Sequence, residues 1–157
     1  DRLQRRIDHG LYGYLLTGTE IYDAAVKKLH SIGVEVVTHV IIGLPGESYD
    51  KVRDTVKHVA ELFEERKDRK LQDGIKFTLL YVLKGTRLHR MIQSGEISIR
   101  EYTLEEYSEV LTKLLEIIPD DMVVHRITGD PPKSLLISPL WAADKKRVLN
   151  YLKRKVV

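Results

Sequence analysis

The stretch HVIIGLPGE, residues 39–47, places an imidazole, an apolar run, two glycines, a proline and a carboxylate close together. Gly43 and Gly46 come where the apolar run stops. Glycine there either lets a ligand approach the backbone or takes a positive φ. Pro45 stiffens the turn, and Ser48 or Glu47 can cap the helix behind it. This is not a phosphate loop, because no Lys-Ser/Thr follows the glycines, and the dinucleotide pattern lacks its remaining glycine. His39 reads either as a core or lumen histidine or as a cofactor contact. Glu47 is either a first-turn carboxylate favoured by the helix dipole or a cofactor contact.

A second stretch, HRITGDPP (125–132), sets His125 and Arg126 in an apolar strand with Asp130 just beyond it. Arg126 either pairs with Asp130 across the turn or meets the anionic group of a substrate or cofactor. Trp141, in SPLW (138–141), is a core anchor or a stacking platform. His9, His30, His58 and His89 are expected on the surface. The chain has no cysteine, hence no thiolate ligand or thiol nucleophile. No two histidines share metal-ligand spacing, so no metal site is expected. Lys84 is the one lysine near a strand end, a slight basis for an aldolase or hydrolase barrel.

The elements that must position these residues alternate. Residues 20–32 carry Ile21, Ala25, Leu29 and Ile32 at helical spacing, with Thr19 as cap and Gly33 as stop. VEVVTHVII (34–42) is β-branched and nearly continuous, which predicts a strand covered on both faces. A helix follows from Ser48 to about Arg69, with Val52, Val56, Val59 and Phe63 inward. IKFTLLYVL (75–83) predicts a second strand, and KGTRL (84–88) opens a short helix. Thr103-Leu104-Glu105-Glu106 is a capping box before a helix presenting Tyr107, Leu111, Leu114 and Ile118. MVVHRIT (122–128) predicts a third strand, and 141–155 a last helix with Val148, Leu149 and Leu152 inward. Alternation of this kind means parallel βαβ units with right-handed crossovers. Three strands alone make a thin sheet with an edge that would ordinarily be paired.

The 157 residues are 43% hydrophobic and 31% charged, a globular composition for one domain. No apolar run approaches the roughly 20 residues of a membrane span, and a cytoplasmic protein is expected. The net charge of +3 is small, but after Asp144 come Lys145, Lys146, Arg147, Lys153, Arg154 and Lys155 with no acid. That helix is a solvated face or a phosphate contact for RNA.

The set HVIIGLPGE, LLYVLKGTRL (79–88), HRITGD and SPLW, in that order and spacing, resembles the radical S-adenosylmethionine enzymes from about residue 20 onward. Within them it is most similar to uncharacterised bacterial and archaeal Fe-S oxidoreductase proteins related to the Elongator catalytic subunit. The resemblance implies an α/β fold of parallel strands and helices, about half of a (β/α)6 partial TIM-like barrel. Residues 1–157 would be one domain, its C-terminal part, with 121–157 as closing segment.

Residues 1–19 match poorly, since relatives carry Ile-Asn-Arg-Gly where this chain has Ile7-Asp8-His9-Gly10. It further implies that His39, Ile41, Gly43, Glu47, Leu80, Tyr81 and Val82 lie around S-adenosylmethionine. Ile41 would offer main-chain groups and a side chain to the adenine, and Gly43 would leave clearance for the nucleoside. His125, Arg126, Asp130 and Trp141 would belong to the substrate or closing segment.

Such enzymes hold a 4Fe-4S cluster on a CxxxCxxC loop and use an upstream Gly-Gly-Glu strand. This chain has neither, so a cluster would belong to a longer parent and this chain alone is expected to be inactive. The parent would cleave S-adenosylmethionine reductively to a 5′-deoxyadenosyl radical that abstracts hydrogen from an unknown substrate. The expected partner is the upstream half of the same barrel. The reading from another class is a non-catalytic binding module, with tRNA as its candidate ligand, that kept the barrel half.

Overall fold

The structure is a computed structural model and describes residues 18–66 and 70–156. The poorly matched segment expected at the N-terminus, with His9, lies almost wholly outside the described residues.

Helix α1 (Gly18–Ser31) leads through Gly33 to strand β1 (Val37–Ile42), and helix α2 (Tyr49–Glu64) follows. Strand β2 (Gly74–Leu79), the short strand β3 (Val82–Leu83) and helix α3 (Arg87–Gln93) come next. Helix α4 (Leu104–Leu115), strand β4 (Val123–Arg126) and strand β5 (Leu136–Ser138) precede a 3-10 turn (Leu140–Ala143) and helix α5 (Lys145–Lys155). Strands β1, β2 and β4 form one parallel sheet, as the alternating pattern requires, and β2 lies in the middle.

Local signals explain most of the helices. Ser48, Thr86 and Thr103 accept N–H bonds at the starts of α2, α3 and α4, and Thr103 and Glu106 complete the capping box. Gly33 takes φ +76° after α1, the left-handed stop that the sequence predicts. Thr19, expected as a cap, lies inside the helix, which already runs from Gly18.

The core sits on one face of the sheet only. Val40, Ile42, Ile75, Phe77 and Leu79 pack there with Val52, Val56, Phe63, Tyr107, Leu111, Leu114, Val148 and Leu152. The other residues of β1 remain open: Val37 is 38% and Ile41 40% exposed. A strand covered on both faces was the expectation from VEVVTHVII. Among the described residues helices cover one side, and β4 is an exposed edge strand rather than a buried one. The apolar stripe of α1 is likewise uncovered, with Ile21 at 71% and Ile32 at 70% exposure.

At the N-terminal ends of the strands, Asp73 ties three elements. Its Oδ1 accepts from Val36 N at 2.7 Å, its Oδ2 meets His30 Nε2 at 2.6 Å, and its carbonyl accepts from Val123 N at 3.1 Å. His30 was expected at the surface; its side chain is only 9% exposed because this pair needs it inside.

The stretch IKFTLLYVL does not form one strand. Leu80 still donates to Ile42 O at 2.8 Å, then the chain leaves the sheet and β3 pairs antiparallel with β5. Three residues of β5 are too few to show a period in the sequence, so that strand is found only in the structure. The last helical stretch also divides, into the 3-10 turn and α5, where Asp144 accepts from Arg147 N.

Candidate functional site

Pairing along the sheet decides which side chains share its open face. Paired residues of a parallel ladder project to the same side, and successive residues alternate. Opposite the packed row of Ile75, Phe77 and Leu79 therefore lie Gly74, Lys76 and Thr78 of β2, flanked by Val37, His39 and Ile41 of β1. On β4, Val123 pairs with Gly74, and Lys76 pairs with Arg126 after a bulge at His125. The His125 ring lies over Gly74: a Cβ there would come within 2.3 Å of it. The bulge thus turns both His125 and Arg126 to the open face, while Ile127 packs on the core.

Four of the sequence candidates, His39, Ile41, His125 and Arg126, meet on this face. His39 Nε2 is 2.8 Å from Thr78 Oγ1. Lys76 and Thr78 joined the face without having been singled out. Their alternation with Ile75, Phe77 and Leu79 was the available signal, hidden because the whole stretch reads as apolar.

The main chain of Ile41 has a defined direction. Gly74 N donates to Val36 O at 2.9 Å and Leu80 N to Ile42 O at 2.8 Å. Even-numbered residues of β1 thus direct their amides to β2, and the N–H and C=O of His39 and Ile41 face the free edge. Only the side chain of Ile41 is offered to the open face.

The turn after β1 is held by its own residues. Glu47 Oε2 accepts from Gly43 N at 2.7 Å and Leu44 N at 3.3 Å. Burial pushes the Glu47 carboxyl above the usual carboxylate range, and those two amides pull it partly back. Gly43 sits at φ +90°, and a Cβ on it would be 3.3 Å from Tyr102 Cε2 and 3.4 Å from Leu79 Cδ1. Of the two reasons for a glycine there, the positive φ is present, and the Cβ direction is toward Tyr102 and Leu79.

The remaining candidates line the rim at the C-terminal ends of the strands. Leu80 and Tyr81 are half-buried, whereas Val82 is buried and pairs with Ser138. Tyr81 Oη accepts from Gly129 N at 3.0 Å, and a Cβ on Gly129 would strike the Tyr81 ring. Tyr107, its phenol pushed up by burial, donates to Ile127 O at 2.8 Å. Two tyrosines therefore pin the segment that carries His125 and Arg126.

The Arg126–Asp130 pair considered from the sequence is not formed. Asp130 accepts from Lys145 Nζ at 2.7 Å, and that bond chiefly holds its carboxyl below the usual range. Trp141 packs on Tyr107 with ring centroids 5.9 Å apart and donates from Nε1 to Tyr102 O at 2.8 Å. It is an anchor of the rim.

Comparison with known proteins gives this geometry its family. The protein YtqA of Bacillus subtilis is 37% identical over 135 residues, 86% of this chain and 39% of that protein. Elongator complex protein 3 of Mus musculus is 29% identical over 118 residues, 73% of this chain and 20% of its own length. A tRNA uridine(34) acetyltransferase of Methanocaldococcus infernus is 26% identical over 132 residues, 83% of this chain and 23% of its own length. The chain thus spans well under half of each relative. The profile of the Radical_SAM C-terminal domain matches residues 72–157. Since that match covers more than half of the chain, and a parallel sheet with helices on one face is the fold beneath it, the chain belongs to the radical S-adenosylmethionine family.

Proposed function

We propose that this chain is the cofactor- and substrate-binding half of a radical S-adenosylmethionine iron-sulfur enzyme, an oxidoreductase-type catalyst in its longer form. The observation that carries the reading is the one-sided sheet. Helices seal one face, while Val37, His39 and Ile41 stand exposed on the other beside a buried Thr78. A nucleoside has an apolar ring face and polar edges, and this face offers an aliphatic side chain beside a hydroxyl and an imidazole. The residues fit the adenosyl part of the cofactor. Ile41 would pack on the adenine, and Thr78 would hold the His39 ring in place.

The iron-sulfur cluster does not fit this chain, which has no cysteine. Its thiolates would come from the upstream half of the barrel, the partner for which the free edge of β1 is suited. In this family the bound cofactor and cluster supply a 5′-deoxyadenosyl radical. This chain's part is to bind, to orient and to exclude water.

The test uses the longer protein, reconstituted anaerobically. Ile41→Ala removes apolar surface that is 40% exposed, so the fold should hold. If adenine packs there, about 1–2 kcal/mol is lost and S-adenosylmethionine affinity falls roughly tenfold. Unchanged affinity by calorimetry would show that the adenosyl group lies elsewhere.

A second reading has its own observation. Helix α5 exposes Lys146, Arg147, Lys153, Arg154 and Lys155 with no acid among them, a surface suited to a phosphate backbone. A tRNA would be the partner, in keeping with the name of the acetyltransferase relative. It applies equally to a binding module that does no chemistry.

A further inference from the structure

Three basic side chains stand in a row across the open face, one from each strand. His39 pairs with Lys76, and Lys76 with Arg126, so the three are lateral neighbours at about the strand spacing, roughly 4.8 Å between backbones. They come from positions 37 residues and 50 residues apart in sequence, so only folding makes the row. Lys76 and Arg126, as neighbouring cations, repel unless a counter-ion or water separates them. Among the described residues no carboxylate lies within ion-pair distance of any of the three. Acids elsewhere on the sheet and its rim have their own partners, and Asp130 feels the Arg126 charge without pairing with it. Asp73 holds His30 and Val36, Glu47 holds the turn amides, and Asp130 holds Lys145. The ring of His125 over Gly74 adds a further donor beside the row, and Thr78 holds one ring nitrogen of His39 so that the other is left for a ligand.

We propose that His39, Lys76 and Arg126 form an oxyanion site that holds the phosphate or carboxylate group of the substrate. The inference rests on the reading of the open face as the substrate chamber. Lys76 supplies a compact charge at the centre, and Arg126 supplies a planar fork that engages two oxygens at once. A site of this kind lies deeper along the strands than Ile41 and Thr78, by the two residues that separate them on each strand. It would fix the substrate's anionic end and leave its other end toward the rim, where the family's cofactor is expected.

The experiment uses the longer protein and two probes, inorganic pyrophosphate for the phosphate class and succinate for the carboxylate class. Calorimetry should find one of them bound at one equivalent, with affinity that weakens as salt rises. Lys76→Met and Arg126→Met should each lower that affinity at least tenfold, and Lys76→Arg should restore most of it. Melting temperatures of the variants are measured alongside; both side chains project from an uncovered face, so they should stay near wild type. Binding of neither probe, or full affinity retained in either methionine variant, overturns the proposal. The Ile41→Ala variant separates this result from the adenosyl reading. It should keep its oxyanion affinity, so loss of S-adenosylmethionine binding alone bears on the adenosyl placement, and loss of oxyanion binding in the Met variants alone bears on the row.

Discussion

Gly43 illustrates how a single residue can be explained by two different demands. A glycine after a strand suits a ligand that approaches the backbone and equally suits a chain that needs a positive φ. The structure has φ +90° at Gly43 and a Cβ direction blocked by Tyr102 and Leu79 at 3.3 and 3.4 Å. Gly33 has a similar φ of +76° with open space around it. Alanine at Gly33 should therefore cost the left-handed conformation alone, about 1 kcal/mol. Alanine at Gly43 should cost more, about 2–3 kcal/mol, because Tyr102 must also give way. Urea denaturation of the two variants measures the difference. Equal costs would mean that the Tyr102 contact carries no weight.

The same scale shows why the spacing of Arg126 and Asp130 misled. Four residues apart, they can meet across a turn, but Lys145 reaches Asp130 from α5 and takes it. Arg126 adds only a lesser share to the lowering of that carboxyl and forms no pair with it.

At the scale of the element, β1 is an edge strand whose odd-numbered amides face outward. Proline removes one N–H, so its cost depends on where that N–H points. Val40 directs its amide to β2, and His39 directs its own to the free edge. If that edge stays free, Val40→Pro should be worse than His39→Pro by about the loss of a buried hydrogen bond, 1–3 kcal/mol. If the upstream half of a barrel pairs with β1 in the longer protein, the two variants should be about equally damaging there. Comparing their thermal unfolding in that protein decides whether the edge is occupied.

Helix α1 carries a related lesson. Ile21, Ala25, Leu29 and Ile32 are correctly spaced for a helix, and the helix is there. The stripe nevertheless lies open, because periodicity reports a face and not what covers it.

At the scale of the whole molecule, charge is uneven rather than large. The net charge is +3, yet six basic residues follow Asp144 without an acid. Lys145 is already paired with Asp130, and Lys153, Arg154 and Lys155 cluster at the far end of α5. If that surface contacts tRNA, replacing Lys153, Arg154 and Lys155 together by Ala should weaken binding and lower the salt slope by about 2–3. Filter binding of the longer protein to tRNA at several salt concentrations reads both quantities. A slope unchanged by the triple substitution would leave the helix as a solvated face. No helix among the described residues is long and apolar enough to cross a membrane.

The sequence by itself determined the main helices, the three strands of the parallel sheet and their order, but not the split at Leu80, β5 or the 3-10 turn. Val52, Val56, Val59 and Phe63 repeat at helical spacing and are buried, the Thr103 capping box forms as written, and the β-branched run 37–42 is a strand. These are local properties, set by side-chain periodicity, caps and turn residues within a few positions of one another. The same local patterns, taken together in order, were enough to point to the family. What only the tertiary structure decided is lateral: that β2 lies between β1 and β4, that a bulge at His125 turns Arg126 to the open face, and that His30 is drawn inside by Asp73. The row of His39, Lys76 and Arg126 belongs to that second group. Strand register is fixed by the packing of one face against the helices, and it aligns residues that no spacing along the chain connects.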